Sequence, residues 1–187
     1  MGETNKRFDN LSKSIIAVMN KLGENDAILS MLNHDSAKPF IRPLSYSERN
    51  NSTNPIHRDA KILPYPFSPD TKITEGSTIR AFFPTGTFET DKAQAVWLKT
   101  DLVVDIIVSK NLWLIEDESK NDAIRPYRLM SEVEHDLTDR NMDKESELYK
   151  TLGRIGLLNF EHLSVNAEFE AIRLYFSFDS IEYNPQR

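Results

Sequence analysis

Cysteine is absent from the sequence, and with it go disulfides, a thiolate nucleophile, iron–sulfur clusters and Cys-ligated zinc. Stability has to come from packing or from oligomerisation. Long apolar runs are missing as well. The opening stretch Met1 to Asn10 is polar, and the longest apolar run, Leu102 to Val108, is interrupted by Asp105. Neither a signal peptide nor a membrane span is therefore expected, and the expected place of synthesis is the cytosol. Glycine is scarce, at six residues. The only local clusters, Gly153-Arg154-Ile155-Gly156 and Pro84-Thr85-Gly86-Thr87, match no phosphate-cradling loop, and there is no Gly-x-x-x-x-Gly-Lys-Ser/Thr and no Gly-x-Ser-x-Gly. Nucleotide hydrolysis and serine-hydrolase chemistry are unsupported.

An excess of positive charge is lacking too. The 23 Lys and Arg are outnumbered by 29 Asp and Glu, for a net charge of -6 and a sequence pI near 5.3, which disfavours a broad basic face for gripping phosphates. The four histidines, His34, His57, His135 and His162, fall in no metalloenzyme spacing. His34-Asp35 and Glu134-His135-Asp136 have the groups for a metal ion or a proton transfer, but read first as solvated helix ends or faces. No metal, cofactor or catalytic residue is expected.

What is present suits a folded domain. The chain has 187 residues, 39% hydrophobic and 28% charged, enough for one substantial core and too apolar for disorder. Leu11, Ile15, Val18, Met19 and Leu22, following Phe8, recur at three- and four-residue intervals and predict an α-helix ending near Gly23. Asn25 and Asp26 cap a shorter second helix carrying Ile28, Leu29, Met31 and Leu32. Residues 1–35 thus form an N-terminal helical segment.

Residues 36–76 hold six of the nine prolines and show neither a helical nor a strand period. They are expected to form an extended arm or loop, either wrapped on its own domain or ordered by a neighbour. Its apolar residues Phe40, Ile41, Leu44, Tyr46, Ile62, Leu63, Tyr65 and Phe67 make it a candidate assembly arm.

Residues 77–187 supply the sheet. Strands are expected at Ile79 to Phe83, Ala95 to Leu98, Leu102 to Val108 and Leu112 to Ile115, with Ser109 to Asn111 as a tight connection between the last two. A helix starts near Pro126 with a stripe of Met130, Val133 and Leu137. Asp139 to Lys150 reads as a loop or frayed helix end, and Arg154 to Phe160 as a strand. In the last strand Ile172, Leu174, Phe176 and Phe178 share one face, with Arg173, Tyr175 and Ser177 on the other. The fold class is α+β: an antiparallel sheet of about five strands packed against two main helices, in the order α-β-β-β-α-β-β, with a long irregular arm after the first helical region. Trp97, Trp113, Tyr175 and Phe176 are expected to fill a core.

The sharpest enzyme-like pattern is Asp105 followed by Glu118-Ser119-Lys120, similar to the Asp…Glu-x-Lys of metal-dependent nucleases. There two carboxylates hold a divalent ion against the scissile phosphate and a lysine steadies the attacking water. In that family the Glu-x-Lys lies in a core strand, whereas Glu116 to Asp122 is an unbroken polar run with the composition of a turn.

A second resemblance spans Thr100 to Ser180. The run Asp101 to Val108, then Asn111 to Leu114, Ile124-Arg125-Pro126-Tyr127 leading into a helix, Leu152 to Gly156, and Asn166 to Phe169 before the closing strand resemble the tail-terminator or tail-completion proteins of the tailed-bacteriophage head-to-tail neck. The resemblance implies a structural virion protein, made in the host cytoplasm and located at the tail or neck. It would form a homo-oligomeric ring that touches neighbouring neck and tail-tube proteins. DNA would pass through its centre without specific binding, and no membrane is involved. The family names no catalytic residues, so none is carried over. Residues 36–76 exceed that family's N-terminal connection and would suit an adaptor layer. A small regulatory binding protein is the third reading.

Overall fold

The computed structural model describes residues 9–67, 76–90, 96–139, 142–179 and 181–183. Helix α1 (Asp9–Gly23) buries Ile15, Val18, Met19 and Leu22, the stripe its spacing dictates; Phe8 lies outside the described residues. Helix α2 (Asp26–Asn33) starts where the Asn25 side chain accepts from the N–H groups of Ala27 at 2.9 Å and Ile28 at 3.2 Å. That cap satisfies donors a helix N-terminus leaves orphaned.

Beyond a third helix, α3 (Tyr46–Thr53), the described residues form ten strands: β1 (Ile62–Leu63), β2 (Ser77–Phe82), β3 (Thr87–Thr90), β4 (Val96–Lys99), β5 (Leu102–Ser109), β6 (Leu114–Glu116), β7 (Asp122–Ile124), β8 (Ile155–Ser164), β9 (Phe169–Phe178) and β10 (Ile181–Tyr183). Between β7 and β8 lie α4 (Arg125–Thr138) and α5 (Glu147–Leu152). The main sheet has the order β1-β2-β5-β9-β8 and is antiparallel except for the parallel pair β1 and β2. A three-stranded sheet has the order β10-β4-β3, which repeats β9-β5-β2 in their chain continuations. The three central strands thus break and run on into a second sheet.

All eight residues of β5 are buried, so this strand is covered on both faces. Leu102, Val104, Ile106 and Val108, with Ile172, Leu174 and Phe176 of β9, face α1, α2 and α4 in the main core. Each such side chain contributes about 1.5–3 kcal/mol on full burial. The alternate residues point the other way, where Ile107, Phe169 and Ala171 form a smaller cluster against Phe67, Leu163 and Val165. The α+β architecture, with its five-stranded sheet against helices, is the one the sequence pattern predicts.

Three local expectations differ. Residues 36–67 are not devoid of regular structure: they contain α3 and β1. The Ser109 to Asn111 connection leads into a 3-10 turn at Lys110–Leu112, which carries β6 away from β5 to pair with β7 in a separate ribbon. Trp113 consequently sits between that turn and β6 rather than in a strand. The expected loop of Asp139 to Lys150 instead ends in α5, whose N-cap Ser146 accepts from Tyr149 N–H at 3.2 Å. Gly153 ends α5 at φ +67, and a Cβ there would lie 2.7 Å from the Asp179 side chain, so both conformation and space call for glycine.

Candidate functional site

The candidate arm residues divide into two groups. Ile62 and Leu63 are buried, and Ile62 belongs to the main core. Phe40 and Leu44 pack against that core, and Phe67 against the smaller cluster. Ile41, Tyr46 and Tyr65 stay exposed. The arm is therefore seated on its own domain, with part of its apolar surface facing solvent. Residues 68–75 of the expected arm lie outside the described residues.

Its seat is fixed electrostatically. Arg125 is fully buried at the start of α4, beside Pro126 in the first helical turn. Its guanidinium donates to the carbonyls of Leu112 at 2.9 Å and His34 at 3.1 Å, and to those of Met31 and Ser36. Burial lowers its pKa to about 10, partly opposed by the Asp35 charge. Arg125 so joins the end of α2 and the root of the arm to the 3-10 turn and α4. Buried His34 donates from Nδ1 to the Pro39 carbonyl, and Glu48 lies 3.8 Å from its Nε2. Glu48 in turn accepts from Arg42 Nη1 at 3.0 Å and from Ser45 N–H at 2.8 Å. The Arg42 bond first, then those from Ser45, hold its carboxyl well below the usual range.

On the sheet face away from the core helices, a charged row crosses three strands. Asp105, 2% exposed, lies opposite Arg80 on one side and Arg173 on the other. Arg173 donates to both its oxygens, from Nε at 2.7 Å and Nη2 at 2.9 Å, a bidentate pair. That bond raises the Arg173 pKa above its ordinary value. Arg80 is buried between the rings of Tyr65 and Phe67, 5.1 Å and 5.3 Å from their centroids. Burial lowers its pKa. The arm's end thus covers a cation by stacking on it.

Glu118 is elsewhere, in the turn between β6 and β7, 3.4 Å from Arg128 of α4 on the helix side of the sheet. Lys120 shares that turn at φ +63. The structure therefore does not bring Asp105, Glu118 and Lys120 together. Among the described residues no three His, Asp or Glu side chains converge as a metal site would require. His34 is buried, His57 lies in a turn, and His135 and His162 are exposed.

The least covered part of the sheet is β8. It is the last strand in the order, so its outer edge has no strand partner among the described residues. The register moves from Leu157 opposite Phe176 to Asn159 opposite Tyr175, which leaves Leu158 as the extra residue of a β-bulge. Leu157 and Phe160 lie opposite Phe176 and Leu174 and so project on the helix side, yet Leu157, Leu158 and Phe160 are exposed, Phe160 by 55%. Alongside runs α4, in contact with β8. At one end of this groove the Trp113 ring meets His162 edge-on, with centroids 5.7 Å apart, next to the exposed Leu114 and Ile124 pair. At the other a cavity of about 730 Å³ opens between α4, α5 and the start of β8, lined by Glu134, Tyr149, Arg154 and Leu157 among others.

Sequence reading missed this surface. The run Ile155 to Phe160 announces a strand, but its exposure depends on where the helices stop. The only available signal was the adjacent Leu157-Leu158, which breaks strict alternation.

No curated protein matches the chain. Residues 25–178, more than four-fifths of the sequence, match the YomW family model, from the cap of α2 to the last residue of β9. With α2, the five-stranded sheet and α4 inside that match, the chain belongs to the YomW family, whose name is of the phage type given to proteins of the SPbeta prophage of Bacillus.

Proposed function

We propose that this chain is a structural virion protein of the phage head-to-tail neck, a subunit of a homo-oligomeric ring that terminates the tail tube or connects it to the head. The observation that carries the reading is the β8 edge, ten residues long and without a strand partner among the described residues, with exposed Leu157, Leu158 and Phe160. An uncovered strand edge with apolar side chains favours association with another chain. The phage-type family name supports it. A subunit of net charge -6 suits a channel through which DNA passes without being held, because like charges repel the phosphates. The role needs no cofactor, and its partners are further copies of the chain and the adjoining neck and tail-tube proteins.

Native mass spectrometry of the purified protein, with electron microscopy of the same sample, tests this. A defined ring mass and annular particles are expected, alone or with the adjoining virion proteins. A stable monomer that captures no virion protein would overturn the proposal.

A further inference from the structure

We infer that, in the free protein, two copies close their β8 edges against each other, antiparallel across a two-fold axis at Leu157. This goes beyond the ring reading, since such a contact is complete after two copies and cannot run around a ring. In the ring a neighbouring chain takes the place of that mate. The main chain is set for the pairing. The Arg154 carbonyl accepts from Asp179 N–H at 3.1 Å on the β9 side. By alternation the N–H and C=O groups of Ile155 and Leu157 then point to the outer edge of β8, which has no strand partner among the described residues. Such a row of main-chain groups is a template for another strand.

Charge selects a second copy as that strand. Glu161 lies opposite Arg173, and Gly156 opposite Ser177, so Glu161 and Gly156 are on the face away from the core helices. Arg154, two residues before Gly156, shares that face. Both charged residues are exposed. Neither enters an ion pair among the described residues, and Glu161 accepts from Tyr175 Oη–H at 3.1 Å. A strand that pairs antiparallel with itself brings its two ends together. With Leu158 as the extra residue of the bulge, the register that sets Leu157 opposite Leu157 also sets Ile155 opposite Phe160 and Arg154 opposite Glu161. The two-fold axis repeats that ion pair on both sides of an apolar centre, where Leu157 and Phe160, 37% and 55% exposed, are withdrawn from water. Sliding the register by two residues in either direction unpairs both charges.

Sedimentation velocity of the purified chain should show a dimer. Arg154→Glu and Glu161→Lys each set like charges opposite one another twice in a homodimer, and each should weaken it by about tenfold or more, with the parent's circular dichroism confirming the fold. An equal mixture of the two variants should recover the dimer, because both contacts in the mixed pair join opposite charges. The sequence has no cysteine, so Leu157→Cys treated with a short bis-maleimide should cross-link to dimers and stop there. A monomeric parent, a dimer that the charge reversals leave unchanged, a mixture that stays dissociated, or a ladder beyond dimers overturns the inference. Ring formation is read separately, by native mass with the adjoining neck proteins present. A dimer that forms no ring there removes the ring reading and leaves this contact, whereas rings with no Leu157→Cys dimer do the reverse.

Discussion

Arg125 illustrates how much one side chain carries in this fold. A buried cation is tolerated where most of its donors are used, and here four of the five reach backbone carbonyls from α2, the root of the arm and the 3-10 turn. Arg125→Met fills most of the volume but leaves those carbonyls without donors, at a cost of about 3 kcal/mol or more. Arg125→Lys keeps the charge but not the fork of donors, so it should rescue only part of the loss. Urea denaturation reads both, and an Arg125→Met midpoint matching the parent's would show that the carbonyls find other partners. Asp136 makes the contrasting case. Burial raises its pKa above the ordinary 3.8 and nearby Glu132 adds to this, while the Asn25 amide, 2.9 Å away, opposes it. A raised carboxyl favours folding at pH values below its unfolded pKa, and that contribution disappears as pH rises through the folded value. At neutral pH the charge is therefore a burden. Asp136→Asn keeps an acceptor for Asn25 and removes the repulsion from Glu132 one turn away, so the variant should gain about 0.2–0.5 kcal/mol at pH 7. The gain should shrink toward pH 3. Equal destabilisation at both pH values would show instead that the carboxylate itself is required.

At the scale of elements, α3 is where sequence and structure part most clearly. Helices α1 and α2 were legible because their buried residues recur at helical spacing, and β9 because it alternates. In α3 only Ser52 is buried, so no apolar stripe could announce it, and the surrounding prolines argued for irregular chain. Its signal was Ser45 followed three residues later by Glu48, a capping box that the structure bears out on both sides. Similarly α5 has just Leu148 and Leu152 to show, and the uncovered β8 surface was illegible because exposure is set by tertiary placement, not by the strand's own residues. The cap makes α3 testable. Ser45→Ala should cost about 1 kcal/mol and lower hydrogen-exchange protection in residues 49–53 while leaving β5 protected. Acid should act on the same element: the Glu48 pKa is depressed, so its contribution is present above the ordinary value of 4.5 and is lost as pH falls toward the folded value. If protection in α3 stays level on acidification, the Arg42–Glu48–Ser45 network does not hold that helix.

For the whole molecule, the charge distribution matters more than any single pair. The main core and the Asp105–Arg173 bond close the sheet internally, leaving an acidic surplus, since 29 Asp and Glu outnumber 23 Lys and Arg. The arm's Lys38, Arg42, Arg49 and Arg58 each pair with a carboxylate of the same chain, so an assembled ring would present DNA with an excess of carboxylates. Phosphate binding releases counterions and so depends steeply on salt, about one unit of logarithmic slope per phosphate neutralised. A ring that only conducts DNA should show no such slope, since it neutralises few phosphates. Electrophoretic mobility of linear double-stranded DNA should accordingly be unchanged by the assembled protein at low salt and at physiological salt alike. A shift at low salt that vanishes over a modest increase would reveal several phosphate contacts, and would mean that cations rather than carboxylates line the channel.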